Sequence, residues 1–170
     1  MFHYPHNHVE IRDAVAKLCT DFDGKYWQLC DAERAYPSAF VKALTGAGYL
    51  SALIPEEYGG LSLPISAGTA ILEEIHRSGG NAAACHAQMY TMGTVLRHGS
   101  DAQKQQYLPS IADGSLRLQA FGVTEPTSGT DTTALRTTAR RDGDDYVVNG
   151  QKVWTSRAEY SDLLLLLART

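Results

Sequence analysis

Residues 121–156 carry the side chains that could hold a flat molecule with a polar edge. Gly122 and Gly129 would let the backbone approach such a ligand closely, because neither has a side chain in the way. Trp154 adds a large flat ring on which a ligand could stack. Six hydroxyl side chains can donate or accept hydrogen bonds there without adding charge: Thr124, Thr127, Ser128, Thr130, Thr155 and Ser156. These residues favour a ring-shaped cofactor, and a hydroxyl-rich turn beside a core tryptophan is the alternative interpretation.

Two carboxylates lie in the turn at residues 120–131, and we expect both to be structural. Glu125 precedes Pro126, a context that restricts the backbone and indicates a fixed turn. Asp131 follows that turn, where an aspartate side chain commonly binds the backbone two residues further on. We therefore assign no catalytic residue to this chain.

The composition is that of an ordinary globular protein. Its 170 residues are 44% hydrophobic and 20% charged, with a formal net charge of −4, which argues against disorder and against nucleic-acid binding. The cysteines fit neither a disulfide framework nor a C-x-x-C metal site, so we expect a reducing, cytoplasmic setting: Cys19, Cys30 and Cys85. We expect no signal peptide and no membrane span. A solvated terminus, rather than a metal site, is expected at His3, His6 and His8.

The elements that must position the hydroxyl-rich stretch begin with a helical region that ends near Gly114. Apolar spacing predicts the buried faces of its first three helices: Ile11, Val15, Leu18 and Phe22; Phe40, Val41 and Leu44; and Ile65, Ile71, Leu72 and Ile75. On the third helix, Glu73 and Arg77 are four residues apart and could form an ion pair. Together these patterns predict a helical bundle.

Capping residues predict two further helices. Asn81 is a good N-cap for a fourth helix through Arg97. Ser100 and Gln103 have the spacing of a capping box at the start of a fifth helix, which we expect Pro109 to kink or shorten.

Beyond Gly114 the apolar period changes to two, which predicts β-strands. Asp142-Gly143 indicates a hairpin between two of them. The expected fold is α+β, with an N-terminal helical domain at residues 1–115 and an incomplete antiparallel β domain at residues 116–170. The apolar run at residues 163–167 needs cover on both faces. We expect the rest of a longer protein to supply it, and a partner or a second copy is the alternative.

Two long motifs resemble those of a known family. The segment VTEPTSGTD resembles the first signature of the acyl-CoA dehydrogenases, flavoproteins that desaturate acyl thioesters. The segment NGQKVWTSRAEYSDLLLLLART is similar to the one that follows it in that family. Shorter similarities occur in LIPEEYGG, EEIHRSGG and LRHGSDAQKQQYLPSIADGS, so the resemblance spans nearly the whole chain in order.

The resemblance implies FAD as the cofactor and assigns residues to its site. Phe121, Val123 and Thr124 would lie along the flavin, with Thr124 at its pyrimidine edge. Gly129 and Thr130, where serine is frequent in the family, would lie near the pyrophosphate and the pantetheine arm of the thioester. Trp154 would pack on the flavin face away from substrate, and Ser156, where threonine is common, would hydrogen-bond near N5. Thr155 between them would belong to the same cofactor site. Arg157 replaces a frequent asparagine, and its role stays open.

The implied reaction is α,β-dehydrogenation of an acyl-CoA thioester, with an electron-transfer flavoprotein as acceptor and a homo-oligomeric enzyme. The family's catalytic base belongs to a C-terminal helical domain that nothing here matches, so we expect this chain alone to be inactive. The fourth helix would line the acyl tunnel with Ala83, His86, Ala87 and Tyr90, of which His86 and Tyr90 are our substrate-binding candidates. A buried, structurally satisfied His86 is the alternative. Acyl-CoA oxidation by oxygen and a non-catalytic binding or assembly module remain alternative functions.

Overall fold

The computed structural model describes residues 8–170 as two compact units, one ending at Leu116 and the other comprising Arg117–Thr170. Six α-helices form the described part of the first unit: α1 Val9–Cys19, α2 Gly24–Ala32, α3 Ser38–Gly46, α4 Ile65–Arg77, α5 Ala83–His98 and α6 Asp101–Asp113. Four short strands form the second: β1 Ala120–Gly122, β2 Thr138–Asp142, β3 Asp145–Asn149 and β4 Leu164–Leu166. The predicted α+β fold class is thus confirmed.

The core of the helical unit consists largely of the predicted apolar stripes. The fully or almost fully buried predicted residues are Val15, Phe40, Val41, Leu44, Ile71 and Ile75. The prediction was wrong for Ile65, which is 73% exposed. Ile65 lies six residues before Ile71, so the 3.6-residue period turns it away from the face that Ile71 and Ile75 share.

Helix α2 has no counterpart among the predicted helices. It begins at an N-cap, where the Asp23 carboxylate accepts hydrogen bonds from the amides of Lys25 and Tyr26 at 3.0 Å each. None of its residues is fully buried, so its apolar residues do not form the stripe by which the other helices are recognised.

One capping prediction is confirmed, and a second is displaced by one residue. The Ser100 hydroxyl accepts from the Gln103 amide and the Gln103 side chain accepts from the Ser100 amide, which completes the capping box of α6. The N-cap of α5 is Ala82 and not Asn81, whose side chain accepts from the Ala83 amide at 2.8 Å in the turn before the helix. Pro109 lies within α6 and does not shorten it, since the helix continues to Asp113.

Helix α1 is joined to α4 by an ion pair that differs from the predicted one. Arg12 contacts Glu73 at 2.6 Å, while Arg77 contacts Glu74 at 2.6 Å. The predicted Glu73–Arg77 pair is therefore wrong. The Glu74 side chain is 1% exposed, and a buried carboxylate needs a charged partner more than the exposed Glu73 does.

The strands pair in two separate ways. Strands β2 and β3 form an antiparallel hairpin in which Asp142 pairs with Asp145 across a turn at Gly143 and Asp144. Gly143 has a φ of 62°, the left-handed conformation that a tight hairpin requires. Strand β1 pairs with β4 in parallel register, so the expectation of wholly antiparallel pairing was wrong for this pair. A long excursion through the hairpin separates β1 from β4 and lets the chain return in the same direction.

The sequence also led us to expect a solvated terminus at the first histidines, with no metal site there and no membrane span. His3 and His6 lie outside the described residues, whereas His8 is half-buried with its Nε2 atom 3.0 Å from the Ser66 hydroxyl. Within residues 8–170, no cluster of three potential ligand side chains could hold a metal ion. None of the helices that the structure describes is long and apolar enough to cross a bilayer.

Candidate functional site

The candidate site is built where two distant segments of the β unit meet. The Val153 amide donates a hydrogen bond to the Thr124 carbonyl oxygen at 2.9 Å. The Lys152 ammonium donates to the carbonyl oxygen of Val123 at 2.9 Å. These two bonds place the hydroxyl-rich turn beside the segment that carries Trp154, as the grouping of both motifs into one site requires.

Glu125 is held in place by several donors. Its side chain is 3% exposed, and its carboxylate accepts from the Lys152 ammonium at 2.9 Å and from the amides of Arg136 and Thr137 at 2.6 and 2.8 Å. The Thr137 side chain, the Lys152 ammonium and these amides lower the pKa of Glu125 to about 2. An ionised and fully engaged carboxylate of this kind is a structural anchor and a poor proton acceptor.

Ser128 and Asp131 shape the turn that follows Glu125. Glu125 and Ser128 form an isolated bridge, and the Ser128 hydroxyl donates to the Asp131 carbonyl oxygen. The Asp131 carboxylate accepts from the Thr133 hydroxyl and from the Thr133 amide, and both bonds lower the pKa of Asp131. The predicted capping role of Asp131 is therefore confirmed. Ser128 is buried and its hydroxyl serves the turn itself, so it does not face a ligand.

The tip of this turn is open. Thr127, Gly129 and Thr130 are exposed, and no atom lies within 4 Å of the position that a Cβ would occupy on Gly129. Gly122, by contrast, is buried. A Cβ added to Gly122 would lie 3.2 Å from the Leu164 side chain and 3.3 Å from the Leu166 side chain. The close approach that Gly122 permits is thus to strand β4, and the expectation that it faces a ligand was wrong.

Trp154 projects from the second segment. Trp154 is 88% exposed in this chain, so it is not part of the core of the β unit. Its φ is 60°, and Arg157 has a φ of 59°, so the chain turns sharply on both sides of residues 155 and 156. Thr155 is half-buried and Ser156 is exposed. Phe121, Val123 and Thr124 on the first segment are half-buried.

The helical unit has a cavity of its own on α5. Its volume is about 550 Å³. Apolar side chains form much of its lining, and Tyr90 and Thr94 each add a hydroxyl group. We call it the α5 cavity, and define it by six of its lining residues: Ile65, Met89, Tyr90, Thr94, Leu96 and Arg97. The sequence analysis did not predict Ile65 as a cavity-lining residue, because it assigned Ile65 to the core. Its helical spacing from Ile71 is the signal that indicates an exposed position.

His86 and Tyr90 are neighbours on α5. Their rings are 5.2 Å apart in an edge-to-face arrangement. His86 is exposed, so the alternative of a buried histidine is wrong. Ala87 is fully buried in the core and does not present a surface to a ligand.

Two family models match the chain along almost its whole length. The N-terminal domain of the acyl-CoA dehydrogenases matches residues 5–115, and their middle domain matches residues 120–170. An acyl-CoA dehydrogenase, FadE12, of Mycobacterium tuberculosis is 32% identical over 161 residues, which are 94% of this chain and 41% of the relative. A glutaryl-CoA dehydrogenase of Desulfococcus multivorans is 34% identical over 95% of this chain and 41% of its own length. The chain thus spans about two fifths of the length of these relatives.

Solved structures of similar fold cover the same portion. A glutaryl-CoA dehydrogenase in complex with glutaryl-CoA has a TM-score of 0.87 and 28% identity over 99% of this chain and 44% of its own. An acyl-CoA dehydrogenase of Bacillus anthracis in complex with FAD has a TM-score of 0.82 and 27% identity over 97% and 29%. The electron transferring flavoprotein of Acidaminococcus fermentans has a TM-score of 0.86 and 28% identity over 100% of this chain and 45% of its own. The chain therefore belongs to the acyl-CoA dehydrogenase family, and it matches the family's N-terminal domain and middle domain.

Proposed function

We propose that this chain supplies one part of the FAD site of an oxidoreductase that dehydrogenates an acyl-CoA thioester between its α and β carbons. The observation that carries the proposal is the exposed Trp154 indole on a segment bonded directly to Thr124. An aromatic ring that is 88% exposed beside a row of hydroxyl groups is suited to stack on a flat ligand and to hydrogen-bond its rim.

The residues of this chain fit such a cofactor. The open space around Gly129 would admit a phosphate group against the backbone, and the exposed Thr130 would reach the same group or the pantetheine arm. Thr124 and Ser156 supply neutral hydroxyls for the flavin edge, with Phe121 and Val123 as apolar neighbours. When bound, FAD would accept hydride from the β carbon of the thioester.

The chain's own contribution to the reaction is to bind and orient. Glu125 and Asp131 are both committed to backbone donors, and we assign neither of them to proton abstraction. In this family the base belongs to the C-terminal domain, so we propose that the 170-residue chain does not turn over by itself. Dehydrogenation by the purified chain would contradict this.

For the acyl group we propose the α5 cavity, with Tyr90 in its wall and His86 bracing the Tyr90 ring from the side. The apolar lining suits a hydrocarbon chain. An electron-transfer flavoprotein as acceptor, a homo-oligomeric whole enzyme and a reducing, cytoplasmic setting belong to the same proposal. The three cysteines, which are all free thiols, support the last of these.

The test is a titration of the purified chain with FAD, followed by the visible spectrum of the flavin and by tryptophan fluorescence. In the Trp27→Phe variant, whose remaining tryptophan is Trp154, we expect saturable quenching of the tryptophan fluorescence. In the matched Trp154→Phe variant, which keeps Trp27, we expect no such quenching. Trp27 is the other tryptophan of the chain, and its ring packs edge-to-face within the helical unit, 4.9 Å from Phe40. Its fluorescence therefore reports on the helical unit and serves as the comparison for Trp154. Absence of binding, or equal quenching in both variants, would overturn the proposed half-site.

A further inference from the structure

Lys152 is a buried cation with two anchors. Its side chain is 10% exposed, and its ammonium group donates to the Val123 carbonyl oxygen and to the Glu125 carboxylate, at 2.9 Å in both cases. A buried ammonium is stable only when it is paired and hydrogen-bonded, and both conditions are met here. Lys152 therefore fixes its own segment against the backbone of Val123 with a charge-assisted bond.

Glu125 extends this link to a third segment. Besides Lys152, it binds the amides of Arg136 and Thr137, which precede strand β2. The chain also returns to the same place at Gly150, where a Cβ would stand 2.7 Å from the Cα atom of Thr137. The Glu125–Lys152 pair thus joins three stretches of backbone at a point where they are already closely packed.

The residues fixed in this way adjoin those that we propose to meet the flavin. Thr124 follows Val123, and Val153 follows Lys152. The backbone hydrogen bond between Val153 and Thr124 therefore lies directly beside the residues that Lys152 fixes, and Trp154 comes next along the chain. The Trp154 side chain is itself mostly exposed, so its direction depends on the backbone that precedes it.

We propose that Glu125 and Lys152 are a positioning pair that sets the register of residues 123–124 against residues 152–154 and so orients Thr124 and Trp154 for the cofactor. The inference rests on the proposed FAD site. The pair touches neither substrate nor cofactor in this account and acts only through the backbone that it holds.

The experiment compares Lys152→Met, Glu125→Gln and the double variant with Lys104→Met as the matched control. Lys104 has a weak surface partner, Asp101 at 3.9 Å on α6, so its loss reports the general effect of removing a lysine. Amide hydrogen exchange of the cofactor-free chain is measured at Val153 and at the hairpin pair Arg140 and Val147, and FAD affinity is measured on the same proteins.

For Lys152→Met we expect Val153 exchange to rise and FAD affinity to fall by about ten-fold or more, the scale of a lost charge-assisted hydrogen bond. The hairpin amides should change less than about two-fold, because a positioning role is local. The double variant should lose much less than the sum of the single losses, as expected for residues that act together. Lys104→Met should change neither quantity.

Two outcomes would overturn the positioning pair. One is unchanged Val153 exchange in Lys152→Met, and the other is an equal rise at Val153 and in the hairpin, which would make the pair a general stabiliser. If the wild-type chain binds no FAD, the proposed function fails instead, and the exchange measurement still decides whether the pair sets the register.

Discussion

Gly150 and Thr137 are packed so closely that a Cβ on Gly150 would lie 2.3 Å from the Thr137 hydroxyl oxygen and 2.7 Å from its Cα. The second distance involves backbone, which cannot move aside as a flexible side chain would. We therefore expect Gly150→Ala to lower the free energy of unfolding of the β unit by about 1–3 kcal/mol, the usual cost of overpacking. Urea unfolding of the chain would measure it.

Gly129→Ala is the counterpart of that substitution. Since nothing lies within 4 Å of a Cβ at Gly129, we expect stability to stay within about 0.5 kcal/mol of the wild type. FAD affinity should nevertheless fall, because the added methyl group would occupy space that we assign to the cofactor. A variant that loses stability, or that binds FAD as well as the wild type, would contradict this assignment.

Acid should weaken the β unit through Glu125. The pKa of Glu125 is lowered from 4.5 to about 2 in the folded chain. A lowered pKa contributes stability that is present above the unfolded value and is lost as the pH falls from about 4.5 towards 2. Urea midpoints measured across this range should decline, and Glu125→Gln should flatten the decline while lowering stability near neutral pH, where it leaves the buried Lys152 without its carboxylate.

Some acid dependence should remain in Glu125→Gln. The pKa values of Asp113 and Asp131 are also lowered, chiefly by bonds from Ser115 and Thr133 respectively. A slope identical to that of the wild type would contradict the role assigned to Glu125.

Trp154→Ala should separate binding from stability. Because the indole is 88% exposed, its removal should change the free energy of unfolding by no more than about 0.5 kcal/mol. FAD binding should weaken measurably in the same titration that defines the wild-type affinity. Retained affinity would remove Trp154 from the proposed site.

Two isoleucines on α4 give a paired test of the helical unit. Ile75→Ala removes a fully buried side chain and should cost about 2–5 kcal/mol, whereas Ile65→Ala removes one that is 73% exposed and should cost less than about 0.5 kcal/mol. Trp27 fluorescence during urea unfolding would follow both. Similar costs for the two variants would contradict the burial of this helix.

The sequence predicted the parts of this chain that depend on local pattern. Apolar stripes such as Phe40, Val41 and Leu44 identified buried faces, and the Ser100–Gln103 box identified a helix start, because both signals are complete within one turn or two. Helix α2 escaped prediction because it has no fully buried stripe: it begins at the Asp23 cap, and Tyr26 and Trp27 pack only partly buried against the core.

The sequence predicted some features of the candidate site and missed others. A backbone bond from Val153 to Thr124 joins the segments that carry Thr124 and Trp154, and the contact of both residues with a cofactor stays a prediction. The roles of Ser128 and Gly122 could not be read from composition, since a hydroxyl or a glycine can serve its own turn or a neighbouring strand as readily as a ligand. Lys152 was not singled out at all, because its partners lie 27 and 29 residues away.

The parallel pairing of β1 with β4 also bears on the order in which the chain folds. Ala120 and Leu164 must find each other across the whole intervening chain, whereas the β2–β3 hairpin closes over a turn of two residues. Closing a long loop costs more entropy and takes longer than forming a hairpin. We therefore expect the hairpin to form early and strands β1 and β4 to pair last, so that slow-folding or partly folded molecules would have an intact hairpin but no β1–β4 pair.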